Sequence, residues 1–129
     1  MNVPNNLKYT DTDEWILVEG KVATIGISDY AQSQLSDIVY VEFKVDVGEN
    51  IKINSACVTL ESVKAAADVN SPLSGKVVGV NEDLPKSMEM INSDPYKAWM
   101  VKIELTSPAE LDSLMDAAAY QAYCAERSH

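Results

Sequence analysis

Ala56-Cys57-Val58-Thr59-Leu60-Glu61-Ser62-Val63-Lys64-Ala65-Ala66-Ala67-Asp68-Val69-Asn70 reads as a strand, a turn and a returning strand. Residues 56–63 are rich in branched and apolar side chains, which suit a pleated, half-buried surface. Residues 66–70 are the return partner. Ser71-Pro72 ends that run, because proline cannot donate to a ladder. Lys64 then falls at a hairpin tip, exposed and flanked by small or branched neighbours.

More strands flank this hairpin. Residues 14–27 read as two strands broken at Gly20, and residues 38–43 as another. Ser28 is placed to cap a short helix through Tyr30, Ala31 and Leu35. Asp46-Val47-Gly48-Glu49 is a turn signal. Ile51 and Ile53 alternate with polar residues, as on a half-buried strand. Ser74-Gly75 is a tight turn before a strand at 76–80, and residues 81–92 are loop with a helical turn. Residues 98–105 set Trp99, Val101, Ile103 and Leu105 against Met100, Lys102 and Glu104, the period of a half-buried strand. Ser107-Pro108-Ala109-Glu110 reads as a capping box opening a helix through Leu111, Leu114 and Met115. Asp116 starts a second helical stretch at 117–125. Many short strands and terminal helices fit a small β-barrel or sandwich with a helical tail over about 107–126. The expected organisation is a single domain over 1–129.

The net charge is −10, with a pI near 4.4. A chain this acidic repels phosphate backbones and anionic lipid, so neither nucleic acid nor membrane is an expected partner. No apolar run approaches the ~20 residues of a membrane helix. Residues 1–9 lack the basic and apolar regions of a signal peptide, so an intracellular protein, or the mature form of an imported one, is expected. Cys57 and Cys124 form no C-x-x-C, and both are expected as reduced thiols. The lone histidine is His129, which removes Ser-His-Asp and Cys-His catalysis and any histidine metal site. No phosphate-binding glycine motif is present. An isolated turn lysine is only a hydrated point charge.

The neighbours of Lys64 give it more meaning. Glu61-Ser62-Val63-Lys64-Ala65 resembles the lipoylation motif of the glycine cleavage system H proteins, a family of lipoyl carriers. Other stretches match that family in order and spacing: Gly26-Ile27-Ser28, Tyr30-Ala31-Gln32, Asp37-Ile38-Val39-Tyr40-Val41, Val47-Gly48, Ser71-Pro72-Leu73-Ser74-Gly75, Asn81, Ile91-Asn92 and Asp94-Pro95-Tyr96. The resemblance runs from about residue 7 to 122. It implies a barrel-sandwich hybrid fold, of the lipoyl- and biotinyl-carrier kind, in which two small sheets pack with pseudo-twofold symmetry. It implies lipoic acid in amide linkage on Lys64, a bond that removes the lysine charge. The implied partners are a pyridoxal-phosphate glycine decarboxylase, an aminomethyltransferase that uses tetrahydrofolate, a dihydrolipoyl dehydrogenase and a lipoyl-attaching enzyme. The chain would carry the aminomethyl group and the dithiol among them and would not itself catalyse. The loaded group is cationic and easily hydrolysed, so carboxylates in a partly buried cleft should receive it. Glu14 and Asp68, with the Thr12 hydroxyl, are the candidates.

The chain departs from the family pattern in places. Asp13 stands where the family usually has histidine, Ser36 where it usually has glycine, and Phe43-Lys44 where it usually has leucine-proline. Residues 95–99 are one residue shorter than usual and lack the usual glycines. Trp15, Trp99, Tyr120, Tyr123 and Cys124 read as packing residues. An alternative role is an H-like scaffold on which lipoyl groups are assembled or relayed to other enzymes. A 2-oxoacid dehydrogenase or biotin carrier domain fits less well, because biotin sites usually flank lysine with methionines. An unmodified interaction module is the remaining alternative. A monomer suits a shuttle that docks several enzymes by one hairpin. Met1 close to the first strand favours a bacterial cytoplasm over a mitochondrial matrix.

Overall fold

Nine strands among the described residues form two antiparallel sheets in the computed structural model, which describes residues 1–127. His129, the chain's lone histidine, lies outside the described residues. In chain order the elements are β1 (Lys8–Tyr9), β2 (Glu14–Glu19), β3 (Val22–Ile27), α1 (Asp29–Leu35), β4 (Ile38–Phe43), β5 (Asn50–Ile51), β6 (Ala56–Ser62), β7 (Ala66–Asn70), β8 (Gly75–Val80), α2 (Glu89–Ser93), β9 (Val101–Leu105) and α3 (Ala117–Arg127). One sheet has the order β1-β2-β3-β9-β8-β5 and the other β4-β6-β7. The chain passes between the sheets at β3–β4, β4–β5, β5–β6 and β7–β8, so neither sheet is built from consecutive strands alone.

The two sheets share the main core. Ile25, Val101 and Ile103 come from the larger sheet, and Val41, Leu60 and Val69 from the smaller. Each such side chain stabilises the fold by about 1.5–3 kcal/mol when fully buried. A second cluster joins α3 to the start of the chain, with Tyr120 and Cys124 against Leu7, Tyr9 and Trp15. The Tyr9 and Tyr120 rings stack 4.6 Å apart. Leu111 and Leu114 pack against a third cluster of Ile16, Ala23 and Leu73. Gly26 lets the Trp15 ring approach, since a Cβ there would lie 2.6 Å from the indole. Ser28 caps α1 as its sequence suggests, accepting from the Ala31 N–H at 3.1 Å.

Three details differ from the sequence reading. Ile53 lies in a turn, because β5 ends at Ile51 and Ser74 Oγ takes the Ile53 N–H at 3.0 Å. Met100 is fully buried, against the alternation expected there. It belongs to the core between the sheets while Trp99 packs on the α3 cluster, so both faces of that segment are covered. The capping box does not form. Ser107 makes no capping bond, and the Glu110 carboxylate instead accepts from Ser74 N at 2.7 Å and Ser74 Oγ at 2.9 Å. The segment is a short 3-10 helix, Pro108–Ser113, after which Met115 bridges to Tyr9.

Ser36, which ends α1, has φ 67° and ψ −157°. That region is essentially reserved for glycine and costs another residue about 1–3 kcal/mol. The gain in unfolded-chain freedom on changing to glycine offsets about 0.4–1 kcal/mol of this. Ser36→Gly is therefore expected to raise stability by about 1 kcal/mol, read as a higher urea midpoint at unchanged slope.

Candidate functional site

The β6–β7 hairpin places Lys64 in solvent at its tip. Ser62 organises the turn. Its hydroxyl accepts from the Lys64 N–H at 3.3 Å and the Ala65 N–H at 3.1 Å, and its own N–H donates to the Ala65 carbonyl at 2.7 Å. The Val63 N–H donates to the Asp37 carbonyl at 3.0 Å, which ties the tip to the start of β4. The backbone under Lys64 is thus fixed while its side chain stays exposed. Glu61 lies opposite Tyr40 on one side and Ala66 on the other. None of the ion pairs among the described residues involves Lys64.

Glu14 opens β2, yet its side chain is only 1% exposed. A carboxylate taken out of water needs donors, and three are present. Thr10 Oγ1 and Thr12 Oγ1 each donate to Oε1 at 2.6 Å, and the Asn70 N–H donates to Oε2 at 3.2 Å. Thr10 Oγ1 also accepts the Glu14 N–H at 3.0 Å. Burial pushes the Glu14 carboxyl up to about 7, and the three hydrogen bonds only partly oppose it. Thr10 was not among the residues singled out from sequence. The alternation Thr10-x-Thr12-x-Glu14 was its only signal.

A cleft of about 160 Å³ lies between the residue 10–14 loop, α1 and β7. Thr12, Glu14 and Asp68 all line it, with Ile27, Leu35 and Leu60 as apolar wall. Thr12 and Glu14 are bonded to each other, but Asp68 is not part of that set. Its carboxylate is exposed and accepts from Thr59 Oγ1 at 2.9 Å. A wider depression of about 410 Å³ also touches Thr12 and Glu14, but its other walls include Asn54, Pro72 and Met115 rather than β7. The narrower cleft is the one on β7, the strand that follows the Lys64 turn. At ~3.3 Å per residue, Asp68 lies at most roughly 13 Å along the chain from Lys64. Among the described residues no group of side chains is suited to hold a metal ion, and no helix is long and apolar enough to cross a membrane.

The sequence profile of the glycine cleavage H proteins matches residues 7–127. The chain belongs to the glycine cleavage H-protein family. Among the relatives, a glycine cleavage system H protein of Symbiobacterium thermophilum is 51% identical over 126 residues, which cover 97% of this chain and 98% of that one. A mitochondrial H protein of Arabidopsis thaliana is 46% identical over 125 residues, covering 96% of this chain and 80% of that one. The crystal structure of an H protein from Mycobacterium marinum superposes with a TM-score of 0.83 at 28% identity, covering 98% of this chain and all of that one. Relatives thus occur in bacteria and in mitochondria. The H-protein family carries lipoyl groups as a component of the glycine cleavage system, and its barrel-sandwich fold is the one described above.

The structure gives Asp13 a specific role. With φ at 74°, it turns its carboxylate onto α3. Arg127 Nη2 donates to Oδ1 at 2.6 Å and Nη1 to Oδ2 at 3.2 Å, while Tyr120 Oη donates to Oδ1 at 2.8 Å. Arg127 is also flanked by the Tyr30 and Tyr123 rings, at 4.4 and 4.1 Å. A two-pronged, half-buried pair of this kind is stronger than an exposed one. It fastens α3 over the loop that carries Thr12 and Glu14. Trp15 and Tyr120 are packing residues, as their sequence suggests. Trp15 is buried and donates to the Pro95 carbonyl at 3.0 Å. Both cysteines are buried and neither forms a disulfide among the described residues; burial raises Cys57 to about 12.

Glu14 makes stability depend on pH. The folded state takes up its proton more readily than the unfolded chain, whose value is near 4.5. The stabilisation from that proton is complete below the unfolded value and is lost as pH rises through about 7. Glutamine does not ionise, and the two threonine hydroxyls can rotate to donate or accept. Glu14→Gln is therefore expected to match the parent near pH 4 and to be the more stable by roughly 3 kcal/mol near pH 9. Urea unfolding at the two pH values checks this, and a gap independent of pH would contradict it.

Proposed function

We propose that Lys64 is the lipoyl attachment site of a non-catalytic shuttle that serves the glycine cleavage system as one carrier domain. The reading rests on one juxtaposition: an exposed lysine at the tip of a rigid hairpin, with a cleft further along that hairpin's β7 whose facing wall holds the buried Glu14 carboxylate of β2. In this role the chain takes the aminomethyl group from glycine decarboxylase to aminomethyltransferase, and presents the dithiol to dihydrolipoyl dehydrogenase. When bound, lipoic acid supplies a disulfide that accepts both the carbon unit and electrons.

The chain's own residues do the rest. The Lys64 amine provides the amide nitrogen and loses its charge. Ser62, with Glu61, Val63 and Ala65 beside it, holds the turn that offers the amine. Ile27, Leu35 and Leu60 keep water from whatever enters the cleft. Glu14, Thr12 and Asp68 face it with oxygen. Glu14 sits near neutrality, so a cation arriving beside it favours the ionised form and displaces the carboxyl proton. An exposed ion pair is worth only ~0.2–1 kcal/mol, whereas a buried one shielded by the apolar wall is stronger. Docking of micromolar strength or weaker suits the shuttle, because a tethered arm at a docked face has an effective concentration of order mM. The setting is a bacterial cytoplasm or a mitochondrial matrix, and the working form is a monomer.

Intact mass of the protein from its own host is expected to carry a lipoyl-sized increment that Lys64→Arg removes. An unmodified chain, from cells that lipoylate other proteins, overturns the reading. Glu14→Ala and Asp68→Asn are each expected to speed hydrolysis of the aminomethyl-loaded protein. Unchanged hydrolysis in both would remove the cleft from the mechanism and leave Lys64 in place. Exchange of the lipoyl group onto another protein, without support of glycine decarboxylation, would favour the relay scaffold instead.

A further inference from the structure

Successive residues of a strand face opposite sides of its sheet. β4 breaks this rule at Val39 and Tyr40, which are 50% and 46% exposed although adjacent in sequence. The cause is a bulge. Ile38 pairs with Ser62 and Tyr40 with Glu61, so Val39 has no partner on β6. A bulge of this kind re-aims a side chain. The chain before it is anchored, since Asn92 Oδ1 accepts the Ile38 N–H at 3.0 Å and Asn92 Nδ2 donates to the Ser36 carbonyl at 2.7 Å.

The bulge lies beside the lysine hairpin. Val63 is 66% exposed, and its N–H is bonded to Asp37 at the start of β4. Val39, Tyr40 and Val63 therefore gather at the end of the small sheet that carries Lys64. Single exposed apolar residues need no explanation, but a group of them at one place marks an interaction site. The rim is acidic: Asp37, Glu42, Glu61 and Asp68 are all exposed. The nearby cation, Lys44, is already paired with Glu42 at 2.8 Å.

We infer that the Val39 bulge builds an apolar docking spot for the enzyme that attaches the lipoyl group to Lys64. This rests on Lys64 being the attachment site. An amide-forming enzyme must reach a bare amine on a four-carbon stem. Its surface must therefore press on the residues next to the tip, whereas an enzyme meeting the finished arm can stand further off. The complementary surface has an apolar centre within a ring of lysines and arginines.

The test follows mass gain of the unmodified chain with a purified lipoate–protein ligase, ATP and lipoate, varying the carrier concentration. V39S/Y40S is expected to raise KM for the carrier about tenfold, as loss of an interface anchor does, with kcat within about twofold. Val47→Ser removes a comparably exposed valine, 59% exposed, from a turn bonded to the large sheet through Gly48 N–H and the Val77 carbonyl, and is expected to behave as the parent. Val39→Thr keeps the branched shape and the strand, so a raised KM there carries the same conclusion if the double variant melts early. A parental KM in both Val39 variants overturns the docking spot, as does a fall in kcat alone or an equal effect of Val47→Ser. No mass gain in the parent overturns both this inference and the attachment site it rests on.

Discussion

Glu14 holds its carboxylate out of water where the two sheets meet, and the rest of the site is arranged around that constraint. One donor comes from each of Thr10, Thr12 and the Asn70 backbone. The first two lie on the loop before β2 in the large sheet, and Asn70 ends β7 in the small one. A single buried acid therefore fastens the two sheets where the cleft opens. Isolated burial of such a charge would cost several kcal/mol, and three donors reduce that cost without removing it. The residual penalty is what leaves the carboxyl near 7.

The hairpin answers a different demand. It holds a lysine side chain in solvent without letting the backbone wander. Ser62 meets this by taking two N–H groups of the turn on its hydroxyl, so that the tip is ordered although it is exposed. The bond from Val63 to Asp37 adds a second attachment, to β4. Lys64 stands in water at the tip of the small sheet's β6–β7 hairpin, whereas Glu14 is buried on β2 of the large sheet and meets the far end of β7 through the Asn70 N–H.

The C-terminal segment closes the large sheet and the loop beside the cleft. Asp13 and Arg127 make the final fastening, with Tyr120 stacked on Tyr9 beneath it. A carboxylate at 13 is paired with a guanidinium 114 residues later, and the aromatic rings of Tyr30 and Tyr123 flank the pair. At Ser36 the backbone holds a glycine-like conformation that the residue itself does not favour.

Much of this was legible from residue order alone. The strand limits at 38–43 and 66–70, the Ser28 cap and the Lys64 turn follow from period, capping chemistry and proline, all of which act within a few residues. Glu14, Thr12 and Asp68 were named through a family resemblance, and their grouping in one cleft is a matter of geometry. What local pattern could not reveal depends on groups far apart in the chain. Glu110 bonds to Ser74 rather than capping its own helix, because Ser74, 36 residues away in sequence, offers its carboxylate two donors at once. Met100 is buried because apolar clusters cover both faces of its segment. Thr10 serves Glu14, and Asp13 serves Arg127, only once strands and helix are packed. Residue order by itself determined most of the extended segments and turns and put Lys64 at a hairpin tip, but not that Ile53 turns or that β9 starts only at Val101. Tertiary structure alone decided which carboxylates are buried, since burial depends on what another part of the chain brings to the same place.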